Sequence, residues 1–100
     1  MAVIVHVVIP GLTKEQYNAV RDEVGWLADP PAGGLSHTSW WEGGDNHNLD
    51  AWEDEASFAA FGEQRLGPAM AKLGIDLPVQ PVFHPAYEVY LPSALTIAAS

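Results

Sequence analysis

Ala2-Val3-Ile4-Val5-His6-Val7-Val8-Ile9 reads as a strand that is apolar on both sides of its pleat. Side chains alternate along a strand, so Val3, Val5, Val7 and Ile9 share one face while Ile4, His6 and Val8 share the other. A strand with one wet face would alternate apolar and polar residues, and this one does not. Both faces therefore need cover. The rest of the chain offers only about two helices, which cover one face of a small sheet, so the other face is expected to meet a partner chain.

One hundred residues fit a single domain whose core is small enough to gain from burial in a dimer. Only 17% of residues are charged, which again points to surface not meant for water. Four Lys/Arg stand against thirteen Asp/Glu, a net charge of −9, so the field repels polyanions and nucleic acid is not an expected partner. No run approaches a membrane span, and no cationic segment precedes the apolar start. There is no cysteine, hence neither a disulfide framework nor a thiol nucleophile. A soluble cytoplasmic protein is expected.

After the first strand, Pro10 and Gly11 end the ladder and Thr13 caps a helix, with Gln16 at the capping-box position and Leu12 and Tyr17 at staple spacing. Tyr17, Val20, Val24 and Leu27 recur at helical spacing up to a stop near Gly25. Ala28 to Gly34 is a loop. Leu35 to Glu42 reads as strand two, Gly43 to Asn46 as a hairpin turn, and His47 to Glu53 as strand three. Asp54 caps a second helix carrying Phe58, Phe61, Leu66, Ala69 and Met70. Gly67-Pro68 should kink or divide it, with Pro68 starting the second piece. Pro81 to Leu91 reads as strand four, where Pro85 implies an edge position or a bulge. Pro92 to Ser100 form a C-terminal extension, either crossing onto a partner or disordered.

The order is β-α-β-β-α-β: an α+β, ferredoxin-like domain over residues 1–91 with a four-stranded antiparallel sheet and both helices on one face. With the stretches GLSHTSWWEGG (Gly34 to Gly44), DAWEDEASFAAF (Asp50 to Phe61) and FHP (Phe83 to Pro85), the chain resembles the dimeric α/β-barrel superfamily, and most of all its small antibiotic-biosynthesis-monooxygenase-like proteins. The resemblance implies a homodimer in which two sheets close a barrel, with a small-molecule cavity between sheet and helices in each subunit. Its members include cofactor-independent monooxygenases, polyketide cyclases, isomerases, haem-degrading enzymes and proteins without assigned activity. Haem-degrading members carry an asparagine on the first strand and a histidine near the end of the second helix. This chain has His6 on the first strand and no histidine on the second helix, a departure from that branch.

Four histidines fall on four candidate strands. They lack metal-ligand spacing, so no metal site is expected. His37 and His84 lie inside apolar or aromatic strands, where a buried imidazole needs a hydrogen-bond partner or a ligand; His6 is a third candidate, and satisfied core histidines are the simpler account of any one of them. Parity groups His37 with Leu35, Ser39 and Trp41, and His84 with Val82, Ala86 and Glu88. His47, beside Asp45 and Asn46, reads as a turn residue. Asp50 and the run Glu53-Asp54-Glu55 read as a solvated, dipole-favoured helix start. Adjacent Trp40 and Trp41 must point to opposite faces.

A neutral imidazole could take a proton from a phenol, an enol or a carbon beside a carbonyl. That step serves a cofactor-independent oxygenase, a cyclase or an isomerase alike. Tyr17, Trp41, Trp52, Phe83 and Tyr87 are the candidate lining for a flat aromatic or polyketide-like ligand, although core and interface packing also accounts for such rings. The expected function is thus a small-molecule enzyme with a histidine base (His37, His84 or His6) and no cofactor. The rival is a non-catalytic ligand-binding or stress-associated dimer.

Overall fold

The computed structural model describes residues 1–92, and the expected C-terminal extension lies almost wholly outside them. Its elements run β1 (Val3–Ile9), α1 (Lys14–Val24), β2 (Gly34–Glu42), β3 (Asp45–Trp52), α2 (Glu55–Phe61), a π-helical turn (Gly62–Leu66), α3 (Gly67–Lys72) and β4 (Gln80–Pro85). The strands form one antiparallel sheet in the order β2-β3-β1-β4. This is the ferredoxin-like arrangement, with β1 in the interior of the sheet and β2 and β4 at its edges.

The valine stripe of β1 is what the helices cover. Val3, Val5, Val7 and Ile9 are buried with Leu12, Val20, Trp52, Phe58 and Met70. Val5 has no exposed surface and Leu12 is 2% exposed, so each contributes about 1.5–3 kcal/mol of apolar burial. The other row of β1, Ile4, His6 and Val8, is half-buried, and among the described residues no helix packs over it.

Local chemistry explains where the elements start and stop. Thr13 Oγ1 accepts from the Gln16 amide at 3.1 Å while Gln16 Oε1 accepts from the Thr13 amide at 2.9 Å, closing the capping box of α1. Asp54 Oδ1 accepts from the Ser57 amide at 2.7 Å and caps α2. Gly43 and Gly44 form a two-residue hairpin loop with φ of 57° and 87°, the paired positive values of a type I′ turn. That turn sets the β2–β3 register, pairing Trp40 with His47 and His37 with Asp50.

The expected break at Gly67-Pro68 is present, but it takes the form of a π-helical turn followed directly by α3. Pro68 has no amide to give, and the wider turn accommodates its ring. The Gly67 amide reaches back to Gly62 O, and a Cβ at Gly67 would lie 2.9 Å from that oxygen. Two other expectations need correction. Strand four ends at Pro85 rather than Leu91: after the Ala86 amide bonds to Ala2 O at 3.0 Å, no strand continues, because β1 has no residue left to pair. His47 lies within β3 instead of the turn, because the hairpin closes on two glycines alone. Among the described residues no helix is long and apolar enough to cross a membrane.

Candidate functional site

Register places three polar cross-strand pairs on the helix side of the sheet: His37 with Asp50, Ser39 with Asn48, and Trp41 with Asn46. They continue the face of Val5, Val7 and Ile9 towards the β2 edge. From above, α1 lowers Tyr17 onto them.

Asp50 Oδ1 lies 2.7 Å from His37 Nδ1, and Trp52 Nε1 donates to Asp50 Oδ2 at 3.2 Å. Asp50 is 8% exposed, and its ionised carboxylate can only accept, so the Nδ1 proton stays on His37. In the neutral ring this leaves the Nε2 lone pair free to accept, and Tyr17 OH sits 2.7 Å from it. The result is a continuous Tyr17–His37–Asp50 hydrogen-bonded chain. Tyr17 and His37 rings are near-parallel at 7°, and Trp26 and Trp41 meet the Tyr17 ring edge-on at 71° and 76°. Trp26 also meets His37 edge-on, 5.3 Å between centroids. Trp41 is anchored in turn, its indole N–H donating to Leu12 O at 2.8 Å.

Burial pushes the Tyr17 phenol above its ordinary value of 10.0; the Ser39 hydroxyl and Arg21 oppose this, and Asp50 adds to it. Tyr17 therefore remains a donor at neutral pH. The His37 side chain keeps 34% of its surface, so solvent reaches the chain of bonds from the β2 edge.

Asn48 lies beside this chain with 5% exposure. Its Nδ2 donates to Asn46 Oδ1 at 2.8 Å and to Val7 O at 3.3 Å, while its Oδ1 has no partner. A buried acceptor left unpaired costs about 1–3 kcal/mol.

The three candidate bases separate. His37 alone stands on the helix side. His6 and His84 face the other way, His84 opposite Ile4 and His6 opposite Val82 on the open face. There His6 Nε2 lies 3.0 Å from His47 Nδ1, and Trp40 runs near-parallel to both rings, at 14° and 20°. Trp40 and Trp41 do divide between the faces.

Of the expected lining, Tyr17 and Trp41 reach the site. Trp52 is a buried support, donating to Asp50 and packed by Phe58 and Phe61. Phe83 meets Phe58 edge-on beneath β4, across the core from His37. Tyr87 is fully exposed beyond the end of β4. Asp50 is not part of a solvated helix start: it is still on the strand, and its side chain turns inward. A His and an Asp on facing strands of a tight hairpin, with matching parity, was the signal available for it.

Two depressions indent the helical layer. One of about 260 Å³ is lined by Val24, Arg65 and Lys72, and one of about 290 Å³ by Pro31, Ser57, Phe61 and Arg65. No histidine lines either. Among the described residues no three potential metal ligands cluster.

No family model matches the sequence, and no curated protein does. Solved structures do match the fold. SnoaB, a cofactor-independent oxygenase from Streptomyces nogalater, superposes with a TM-score of 0.62 at 15% identity, over 92% of this chain and 98% of that one. A Nitrosomonas europaea protein of unknown function gives 0.63 at 20% identity, over 94% and 98%. The ActVA-Orf6 monooxygenase of Streptomyces coelicolor, solved with nanaomycin D, gives 0.56 at 23% identity, over 92% and 93%. The chain therefore has the ferredoxin-like α+β fold that these structures share, the fold the resemblance implied.

Proposed function

We propose that this protein is a cofactor-independent oxygenase for hydroxylated, aromatic or polyketide-like molecules, with His37 as its general base. The observation that carries the reading is the Tyr17–His37–Asp50 chain, in which an imidazole of fixed tautomer ends on a phenol held between two indoles. The likeness of fold to an oxygenase and to a monooxygenase solved with nanaomycin D supports it.

The chemistry follows from the order of bonds. A substrate phenol gives its proton to the Tyr17 oxygen as Tyr17 gives its own to His37 Nε2, and Asp50 faces the resulting imidazolium. The electron-rich ring then reduces dioxygen, forming a C–O bond and a hydroperoxide. Loss of water breaks the O–O bond, so a phenol and O₂ become a quinone and H₂O, with one oxygen atom in each product. Trp26 and Trp41, packed edge-on against Tyr17, hold its phenol in line with His37. A cyclase or isomerase would use the same first proton transfer without consuming oxygen.

The reading includes a cytoplasmic homodimer joined through the open face of the sheet. On that face Leu49 is 43% and Val82 53% exposed, beside half-buried Ile4 and Val8. All four Lys and Arg residues belong to the helical layer, so this uncharged centre is where two acidic copies meet with least repulsion.

A second reading, a non-catalytic aromatic-binding protein, is favoured by one observation: Tyr17 already occupies His37 Nε2, and neither depression of the helical layer is lined by a histidine. Oxygen uptake with a panel of hydroxylated naphthalenes and anthrones separates the two. His37→Ala should lose about 100-fold or more in kcat/KM, the usual range for a general base, while His84→Ala stays near wild type. Equal turnover in His37→Ala and wild type would sink the base assignment. Tryptophan quenching by these compounds without oxygen uptake would favour the second reading.

A further inference from the structure

Opposite the proposed site, His6 and His47 form a pair that the oxygenase reading does not use. Their facing nitrogens are 3.0 Å apart while their ring centroids are 5.2 Å apart at 27°, so the two nitrogens lie close to the line joining the rings. The rings meet edge to edge, with one proton shared in an N–H···N bond. Each imidazole has one protonated and one bare nitrogen when neutral, so a pair bonded this way holds zero or one positive charge without breaking. Trp40, near-parallel to both rings, suits a single charge as a cation–π partner. A second proton removes the acceptor and sets two cations against each other.

The other ionisable groups on this face do not relieve that repulsion from beneath. Glu42 and Asp45 stand at the hairpin end, where Glu42 Oε1 accepts from Trp40 Nε1 at 2.8 Å and Asp45 Oδ1 from the Gly11 amide at 3.1 Å. His84 on β4 lies opposite Ile4, and the face has no Lys or Arg among the described residues. In a free protomer, water screens the second charge. Between two sheets it does not, and a second copy brings its own pair to the same face.

We propose that the open face joins two copies of this chain only while each His6–His47 pair carries at most one proton, so that mild acid separates the protomers. This rests on the homodimer reading above. The sign follows from proton binding: the separated protomer takes up more protons than the joined one, so falling pH favours separation through the histidine range of about pH 5 to 8. One extra proton per protomer makes two per dimer, so the dissociation constant should rise up to about 100-fold per pH unit at the steepest point.

The test is sedimentation of the full chain from about pH 7.5 to about pH 5.5, with far-UV circular dichroism to show that the fold persists. Wild type should pass from dimer to monomer, while His6→Gln and His47→Gln, which cannot hold two charges, should remain dimeric throughout. His84→Gln should separate as wild type does. A wild-type dimer at both ends overturns the proton gate and leaves the homodimer standing. A monomer at both ends overturns the homodimer, and the gate with it. Acid separation in both His6→Gln and His47→Gln removes the pair as its cause.

Discussion

His37 and His47 stand on neighbouring strands of one hairpin, and each has a ring nitrogen in a short hydrogen bond to a group on a facing strand. His37 faces a carboxylate with 8% exposure, and a proton added to its ring completes an ion pair. His47 faces another imidazole, so a second proton on that pair creates a repulsion. The partner, set by register and by which face the side chain takes, decides what the same side chain can do. On the helix-side face the hydrogen-bonded chain runs from Tyr17 at one end through His37 to Asp50 at the other. On the open face the His6–His47 pair lies where the proposed homodimer would bring two copies together.

The largest test of this contrast is Asp50→Ala. It leaves His37 Nδ1–H and the buried Trp52 N–H without their acceptor, at a cost of about 2–4 kcal/mol that urea unfolding would read. A loss under about 0.5 kcal/mol would show that the carboxylate is not holding the site together. Next is a matched pair across the sheet. Val5→Ala on the helix side should cost about 2 kcal/mol regardless of protein concentration. Val82→Ser on the open face should weaken dimerisation while leaving the unfolding of the separated protomer within about 0.5 kcal/mol of wild type. Similar behaviour of the two variants would erase the distinction between faces. The smallest effect belongs to Tyr17→Phe, which removes one hydrogen bond worth about 0.5–1.5 kcal/mol. Because burial raises the Tyr17 phenol, its neutral form contributes stability below pH 10 that is lost as pH rises through its folded-state value. Alkaline unfolding of wild type and Tyr17→Phe should therefore converge at high pH, and curves that stay parallel would contradict the assignment.

Much of the fold was legible because strand parity and helix caps are local. AVIVHVVI announced a valine face for the helices to cover, Thr13 and Gln16 announced the start of α1, and the Trp40-Trp41 step announced that the sheet divides them. Asp50 was not legible in the same way. Its neighbours Glu53, Asp54 and Glu55 suggest a wet helix start, and only the β2–β3 register, set by the Gly43-Gly44 turn, reveals that it faces His37. His6 and His47 are 41 residues apart, and no spacing rule links residues that a crossover brings together. Local alternation also cannot show where a strand loses its neighbour, so the apolar run past Pro85 looked like more strand than β1 can pair.

The π-helical turn at Gly62–Leu66 has a consequence for tracing this chain's relatives. A π turn is geometrically a single-residue insertion carried within a helix. Any homologue with an uninterrupted helix here aligns correctly only if a one-residue gap is opened inside that turn. Without the gap, every later helical position is rotated by about 100° relative to its counterpart, and the buried pair Ala69 and Met70 is matched against surface residues.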